Sequence, residues 1–109
     1  TPHLTPMFRG TLSTIYVDLN KNITQKKIIS KLKNYYKKHN FIKILNQNDL
    51  ISTNDVINTN VCLISICKTK NKDKIIILSA IDNLIKGGAG QAIQNFNMRF
   101  NFPITTGLL

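Results

Sequence analysis

The chain has 109 residues, of which 42% are hydrophobic, and a formal net charge of +10. This length is enough for one modest domain, and the hydrophobic fraction is typical of a folded chain rather than a disordered one. No apolar stretch approaches the roughly 20 residues that a membrane-spanning helix needs, which argues against a membrane protein.

The positive charge comes almost entirely from lysine. Only Arg9 and Arg99 among the fifteen basic residues are arginines, and the chain is rich in Asn and Ile but has only three alanines. Nucleic-acid sites usually combine arginine with stacking aromatic side chains, and neither is concentrated here. The composition of an AT-rich coding sequence accounts for the charge, so we predict no nucleic-acid partner. The alternative is a stand-alone basic module that binds RNA.

The first elements predicted are a loop and a strand. Residues 1–10 indicate a loop, because Pro2 and Pro6 oppose regular pairing and Gly10 permits a turn. Residues 11–19 alternate between apolar and other side chains, which predicts a strand.

A helix is predicted next, capped by Thr24 and running to about His39. His39 would then lie in the last turn, where the helix dipole favours a cation. The apolar side chains fall on one arc of the helix, namely Ile28, Ile29, Leu32, Tyr35 and Tyr36. Lysines occupy the rest, so we expect one buried face and one solvated face.

The remaining elements predict an α+β fold. Residues 41–45 indicate a short strand, 46–60 a long polar loop, and 61–70 and 74–81 a β-hairpin. A final helix is expected from Gly88 to about Asn97, followed by an irregular tail over 101–109. We therefore predict one unit, a mixed and mostly antiparallel sheet with two main helices on one face.

The two cysteines are predicted to be unpaired packing residues. Cys62 and Cys67 lie an odd number of residues apart in one strand, so they should face opposite sides of the sheet. Free thiols without a secretion signal favour a reducing, cytoplasmic setting.

Residues 82–98 are the most informative stretch of the chain. A buried strand leads through Asp82 and Asn83 into a turn with glycine at 87, 88 and 90, and then into a helix. Bare backbone at a helix N-terminus can approach an anionic or carbonyl ligand closely. The same glycines also suit tight packing of the helix against the strand.

Three segments resemble signatures of the N-acetyl-gamma-glutamyl-phosphate reductase family, in the order in which the family has them. Residues 79–98 are similar to its C-terminal signature, although Gly88 stands where the family usually has alanine. Residues 1–14 resemble a second signature, and 54–56 with 59–62 resemble a third. Together the three segments extend over nearly the whole chain.

The resemblance implies the C-terminal catalytic and dimerisation domain of a glyceraldehyde-3-phosphate dehydrogenase-like enzyme. Such an enzyme uses NADPH to reduce N-acetyl-glutamyl phosphate to the semialdehyde in arginine biosynthesis, and assembles as a dimer or tetramer. The catalytic cysteine and histidine of the family precede the segment that this chain matches, as does the dinucleotide-binding domain. We therefore expect the chain to be a fragment that is inactive alone, with neither a catalytic residue nor a metal site. A non-catalytic assembly partner is a third hypothesis.

The resemblance also implies binding residues. Arg9 would bind the carboxylate or phosphate of the substrate, the alternative being a structural salt bridge. Asn83 would contact the nicotinamide carboxamide, because a side-chain amide both donates and accepts hydrogen bonds. The alternative for Asn83 is an Asx turn. Gly88 and Gly90 would let the helix start pack against the cofactor, whereas His3 has no visible thiolate partner.

Overall fold

A computed structural model describes residues 1–3, 5–47 and 49–108 of the chain. The predictions for Leu4 of the first signature, for loop residue Asn48 and for the last tail residue, Leu109, lie outside these ranges. The helices and strands are β1 (Pro2–His3), β2 (Thr11–Asp18), α1 (Gln25–Tyr36), β3 (Ile42–Ile44), β4 (Cys62–Lys68), β5 (Lys74–Ile81) and α2 (Gly90–Arg99).

In this part of the chain the strands form one five-stranded sheet in the order β1-β2-β5-β4-β3. The β4–β5 hairpin is antiparallel, as predicted, with Ile66 opposite Ile77. Strand β5 also pairs antiparallel with β2, whereas β3 runs parallel to β4. No helix of the described part is long and apolar enough to cross a membrane. The predicted α+β class with a mixed, mostly antiparallel sheet is confirmed.

The prediction that residues 1–10 form only a loop is wrong. Pro2 and His3 pair antiparallel with Ser13 and Leu12 of β2. An edge strand tolerates proline, because only one side of the strand needs hydrogen-bond donors.

Helix α1 covers one face of the sheet. Thr24 caps it as predicted, with its side-chain oxygen accepting from the Lys27 N–H at 3.2 Å. Ile29 packs against Ile66 and Ile75 in a buried cluster. The helix ends at Tyr36, so the prediction that it continues to His39 is wrong.

The predicted polar loop over 46–60 is more ordered than its composition suggests. It contains a 3₁₀ turn, Thr53–Asp55, which a capping box between Ser52 and Asp55 closes. Val56 is fully buried against Leu63 and Ala80 on the sheet face opposite to α1. The apolar contacts of Val56 hold this loop beside the C-terminal end of β5.

Helix α2 begins two residues later than predicted. A π-helical turn, Ile85–Ala89, comes first, and α2 follows it from Gly90. Gly88 lies within this turn with non-helical backbone angles, which interrupts the regular helix there. The buried Asn97 side chain donates to tail carbonyls at Ile104 (3.2 Å) and Thr106 (2.8 Å), which holds the tail against α2.

Candidate functional site

The site centres on Asp82, whose side chain is fully buried at the end of β5. One carboxylate oxygen accepts from the backbone N–H groups of Leu84 (2.8 Å) and Ile85 (3.0 Å) at the start of the π-helical turn. The other oxygen accepts from the Asn58 N–H at 2.8 Å and from Arg9 Nη1 at 2.9 Å. Asp82 therefore joins three segments that are distant in sequence.

The environment of Asp82 favours the ionised carboxylate. Burial alone would raise the pKa of its carboxyl group, because a charge is poorly solvated in the interior. The hydrogen bonds from Asn58, Arg9, Leu84 and Ile85 outweigh burial and lower the pKa below its ordinary value of 3.8. The site therefore contains a permanent negative charge near neutral pH.

The alternative predicted for Arg9, a structural salt bridge, is present. Its Nη1 bonds the Asp82 carboxylate, and 31% of the Arg9 side chain remains exposed. Among the described residues, Asp82 is the one partner of the guanidinium group. The other guanidinium N–H groups remain available to a ligand.

Asn83 contributes differently from the predicted Asx turn. Its side-chain oxygen accepts from the Gly10 N–H at 2.7 Å, whereas the neighbouring Asp82 forms the bonds that cap the turn. In the ranges that the structure describes, the Asn83 amide nitrogen donates no hydrogen bond. Asn83 therefore offers two free N–H groups, and Gly10 engages one of the two lone pairs of its side-chain oxygen.

The two glycines predicted to approach a cofactor have different surroundings. A Cβ at Gly90 would lie 2.5 Å from Asn60 Oδ1 and 2.6 Å from Ile85 Cγ2. Tight packing therefore explains glycine at this position. A Cβ at Gly88 would find only the Asn83 carbonyl oxygen, at an ordinary 3.5 Å.

His3 and Cys67 lie apart from Asp82 and Asn83, whereas Cys62 pairs with Ile81, directly before Asp82. His3 Nε2 hydrogen-bonds Thr14 Oγ1 at 2.6 Å on the edge of the sheet, with β2 and β5 between it and the cysteine strand. Cys62 and Cys67 are free and half-buried, as predicted, and Cys62 Sγ lies 3.4 Å from Ser79 Oγ. Within the described ranges, no three His, Cys, Asp or Glu side chains form a group able to hold a metal ion.

His39 also lies outside the site and beyond α1. Its ring packs edge-on to Tyr36, with 5.4 Å between the ring centroids, and lies parallel to Tyr35. The predicted position in the last turn of the helix is therefore wrong, and aromatic packing replaces the dipole interaction.

Sequence reasoning missed the roles of Asp82, Asn60 and Gln94. Asp82 precedes a turn by the spacing typical of a capping residue, which was an available signal. Asn60 and Gln94 meet only in the tertiary structure, where Asn60 Nδ2 donates to Gln94 Oε1 at 2.9 Å. Their separation of 34 residues carries no local pattern.

Comparisons with known proteins identify the family and the fold of the chain. A family model described as semialdehyde dehydrogenase, dimerisation domain, matches residues 1–83. Proteins named N-acetyl-gamma-glutamyl-phosphate reductase are 44% identical in Desulforamulus reducens and 46% identical in Halothermothrix orenii. Both alignments cover 108 residues, which is 99% of this chain but 31% of each relative. The chain therefore spans about a third of the length of these curated relatives.

A solved structure shows the same fold. It is aspartate semialdehyde dehydrogenase II from Vibrio cholerae, with a TM-score of 0.62 at 18% sequence identity. The match covers 86% of this chain and 28% of that protein. The family match, the similar relatives and the shared fold confirm the resemblance seen in the three signatures, and the chain belongs to the semialdehyde dehydrogenase dimerisation domain family.

Proposed function

We propose that this chain is the C-terminal part of an NADPH-dependent N-acetyl-gamma-glutamyl-phosphate reductase of arginine biosynthesis. The observation that carries the proposal is the identity of 43–46% with reductases over 99% of the chain. In this proposal the longer protein reduces N-acetyl-glutamyl phosphate to the semialdehyde in the cytoplasm, and the rest of that protein supplies the nucleophile and the general base.

Asn83 is the residue that we assign to the cofactor. NADPH supplies the hydride when it is bound, and its carboxamide needs a fixed partner. The free amide N–H groups of Asn83 would donate to the carboxamide oxygen, and the lone pair of its oxygen that Gly10 does not engage would accept from the carboxamide N–H. Among the described residues, a Cβ at Gly88 would meet only the Asn83 carbonyl oxygen, at 3.5 Å, so this part of the turn permits close approach of the cofactor.

Arg9 is the residue that we assign to the substrate. Its guanidinium group is anchored through one nitrogen to the buried Asp82 carboxylate, which restricts its rotation. The remaining N–H groups suit a carboxylate or phosphate, both of which N-acetyl-glutamyl phosphate carries. Because Asp82 holds Arg9 beside Asn83, the anion of the substrate and the carboxamide of NADPH would bind next to each other at the end of β5.

We also propose that two copies associate through the sheet. Helix α1 covers one face, whereas Tyr16 on the other face is 71% exposed. The matching family model describes a dimerisation domain. An exposed aromatic side chain on a sheet face suits burial against a second copy. Size-exclusion chromatography with light scattering on the longer protein distinguishes a dimer or tetramer from a monomer.

The test of the function uses the longer protein expressed from its gene. We expect NADPH oxidation that depends on N-acetyl-glutamyl phosphate. Replacing Asn83 with Ala should raise the KM for NADPH about tenfold, because one hydrogen bond to the cofactor is lost, with the substrate KM unchanged. Asn95→Ala is the matched control, since Asn95 lies exposed on α2 and bonds only Gln91 in the described structure. Wild-type protein without this activity would refute the proposal.

RNA binding would favour the alternative function. The alternative predicts binding that weakens steeply with salt, because lysines release counterions from phosphates. We expect negligible binding of a single-stranded RNA at an ionic strength of about 0.15 M. Tight binding with a salt slope of several units would support a basic module instead.

A further inference from the structure

A second polar cluster, of Asn60, Lys86 and Gln94, involves the π-helical turn Ile85–Ala89, hereafter the glycine turn. Gln94 Oε1 accepts two hydrogen bonds, from Asn60 Nδ2 at 2.9 Å and from Lys86 Nζ at 2.8 Å. Lys86 belongs to the π-helical turn, Gln94 to α2, and Asn60 to the segment before β4. One side-chain oxygen therefore connects three parts of the fold.

The orientation of these side chains follows from Lys86. An ammonium group only donates hydrogen bonds, so the Gln94 atom that faces it must be the oxygen. Asn60 must then present its nitrogen to the same oxygen. Its own oxygen turns towards Gly90 and, in the described part of the chain, has no hydrogen-bond partner although Asn60 is only 1% exposed. An unpaired buried carbonyl oxygen is unfavourable. The orientation of Asn60 that allows its bond to Gln94 therefore leaves its own oxygen at an energetic cost.

The segment from Asn58 to Asn60 contacts both ends of the glycine turn. The Asn58 N–H bonds Asp82 just before the turn, and Asn60 bonds Gln94 just after it. Lys86 in the middle is half-buried, with its ammonium 5.6 Å from the centre of the Phe41 ring. Partial burial lowers the pKa of Lys86, and the nearby Cys62 acts in the opposite direction. The turn is therefore held at its start, middle and end.

We infer that Gln94 is a positioning residue, which acts through Asn60 and Lys86 to hold the π-helical turn that follows Asn83, and with it the cofactor-binding geometry of Asn83. This inference rests on the proposed function, because it gives the orientation of Asn83 a consequence for NADPH. Gln94 itself contacts neither cofactor nor substrate in this proposal. Its two hydrogen bonds tie the π-helical turn to α2 and to the segment before β4.

The experiment compares three variants of the longer protein. Gln94→Leu removes the shared acceptor, and Gln94→Glu keeps an acceptor for both donors. Gln91→Leu is the control on the same helix, since among the described residues the Gln91 side chain bonds only the exposed Asn95. We expect Gln94→Leu to raise the KM for NADPH about fivefold or more, since two hydrogen bonds are lost, with kcat and the substrate KM within about twofold of wild type. Gln94→Glu should rescue the KM, and Gln91→Leu should leave it unchanged.

A purely structural role gives a different result. If Gln94→Leu lowers Tm but leaves the KM for NADPH unchanged, the inference is overturned. Lys86→Met provides a second variant should Gln94→Leu not fold. It removes one of the two donors to Gln94 and should also raise the KM for NADPH.

Hydrogen exchange separates this inference from the proposed function. The amides of Gly87 and Ala89 bond the carbonyls of Asp82 (3.0 Å) and Leu84 (3.1 Å) within the turn. Both amides should exchange faster in Gln94→Leu than in wild type and recover in Gln94→Glu, whether or not the wild type is a reductase. Unchanged exchange would show that Gln94 does not hold the turn. Altered exchange without reductase activity would refute the function and the consequence for NADPH, but not the hold of Gln94 on the turn.

Discussion

Gly10 donates its backbone N–H to the side-chain oxygen of Asn83 over 2.7 Å, although 73 residues separate them in the chain. The preceding residues, Arg9 and Asp82, form an ion pair with the same separation. Two consecutive residues of the first loop thus hold two consecutive residues at the end of β5. The residues proposed to bind substrate and cofactor are therefore fixed side by side at the end of β5.

Replacing Asp82 with Asn should destabilise the fold strongly. The change leaves Arg9 without its buried counter-ion and puts an amide among four donors, so we expect a loss of about 3 kcal/mol in the free energy of unfolding. Urea denaturation measures it. The control is Asp18→Asn, which breaks the ion pair with Lys74, whose partners are 83% and 55% exposed. It should change stability by less than about 1 kcal/mol, and equal effects of the two changes would contradict the assignment.

The same carboxylate should make stability depend on acid. The folded-state pKa of Asp82 lies below the ordinary value of 3.8, so the unfolded chain binds the proton more readily. The stabilisation from this group is therefore present above the unfolded pKa and is lost as pH falls through the folded pKa. The free energy of unfolding, measured from neutral pH to strongly acid conditions, should decrease as the pH is lowered below about 4. Asp82→Asn should remove part of this slope, and an identical slope in the variant would contradict the prediction.

Gly88 and Gly90 offer a matched pair of substitutions. Gly90→Ala should destabilise the chain by about 1–3 kcal/mol, because the new methyl group would overlap Asn60 and Ile85. Gly88→Ala places its methyl group at an ordinary contact distance, 3.5 Å from the Asn83 carbonyl oxygen. Its effect should stay within about 0.5 kcal/mol. Thermal unfolding of both variants measures the two losses of stability. A larger loss for Gly88→Ala than for Gly90→Ala would show that the packing argument is wrong.

Arg9→Lys should separate anchoring from substrate binding. Lysine keeps a positive charge near Asp82 but cannot donate in a fork, so we expect the substrate KM to rise about tenfold with the KM for NADPH nearly unchanged. The control is Arg99→Lys on the exposed end of α2. Initial-rate kinetics on the longer protein measure both constants. A rise in the NADPH constant alone would assign Arg9 to the other ligand.

Much of the fold could be predicted from local patterns. The alternation over β2 and the arc of apolar residues in α1 are periodic, so their existence and buried faces were predictable. The residues at which the helices begin or end were not all predictable in this way. Helix α1 stops before His39 and α2 starts at Gly90 because contacts specific to those ends decide where hydrogen bonding stops.

The candidate site was predictable only in part. The three signatures indicated Arg9 and Asn83, and the structure places these residues at one junction. For Arg9 the sequence offers two alternatives, a ligand and a structural salt bridge, and names no partner for the latter. Sequence could not decide this, because a guanidinium group suits a ligand anion and a protein carboxylate equally.

The sequence by itself determined the family, the α+β class and the hairpin of β4 and β5, since these depend on signatures and on short-range periodicity. Only the tertiary structure decided that Asp82 anchors Arg9, that Gly10 occupies one side of Asn83 and that Asn60 meets Gln94. The physical reason is that each of these contacts joins segments 34 or 73 residues apart. Local preferences act over a few residues, whereas packing of the sheet brings such distant groups into hydrogen-bonding distance.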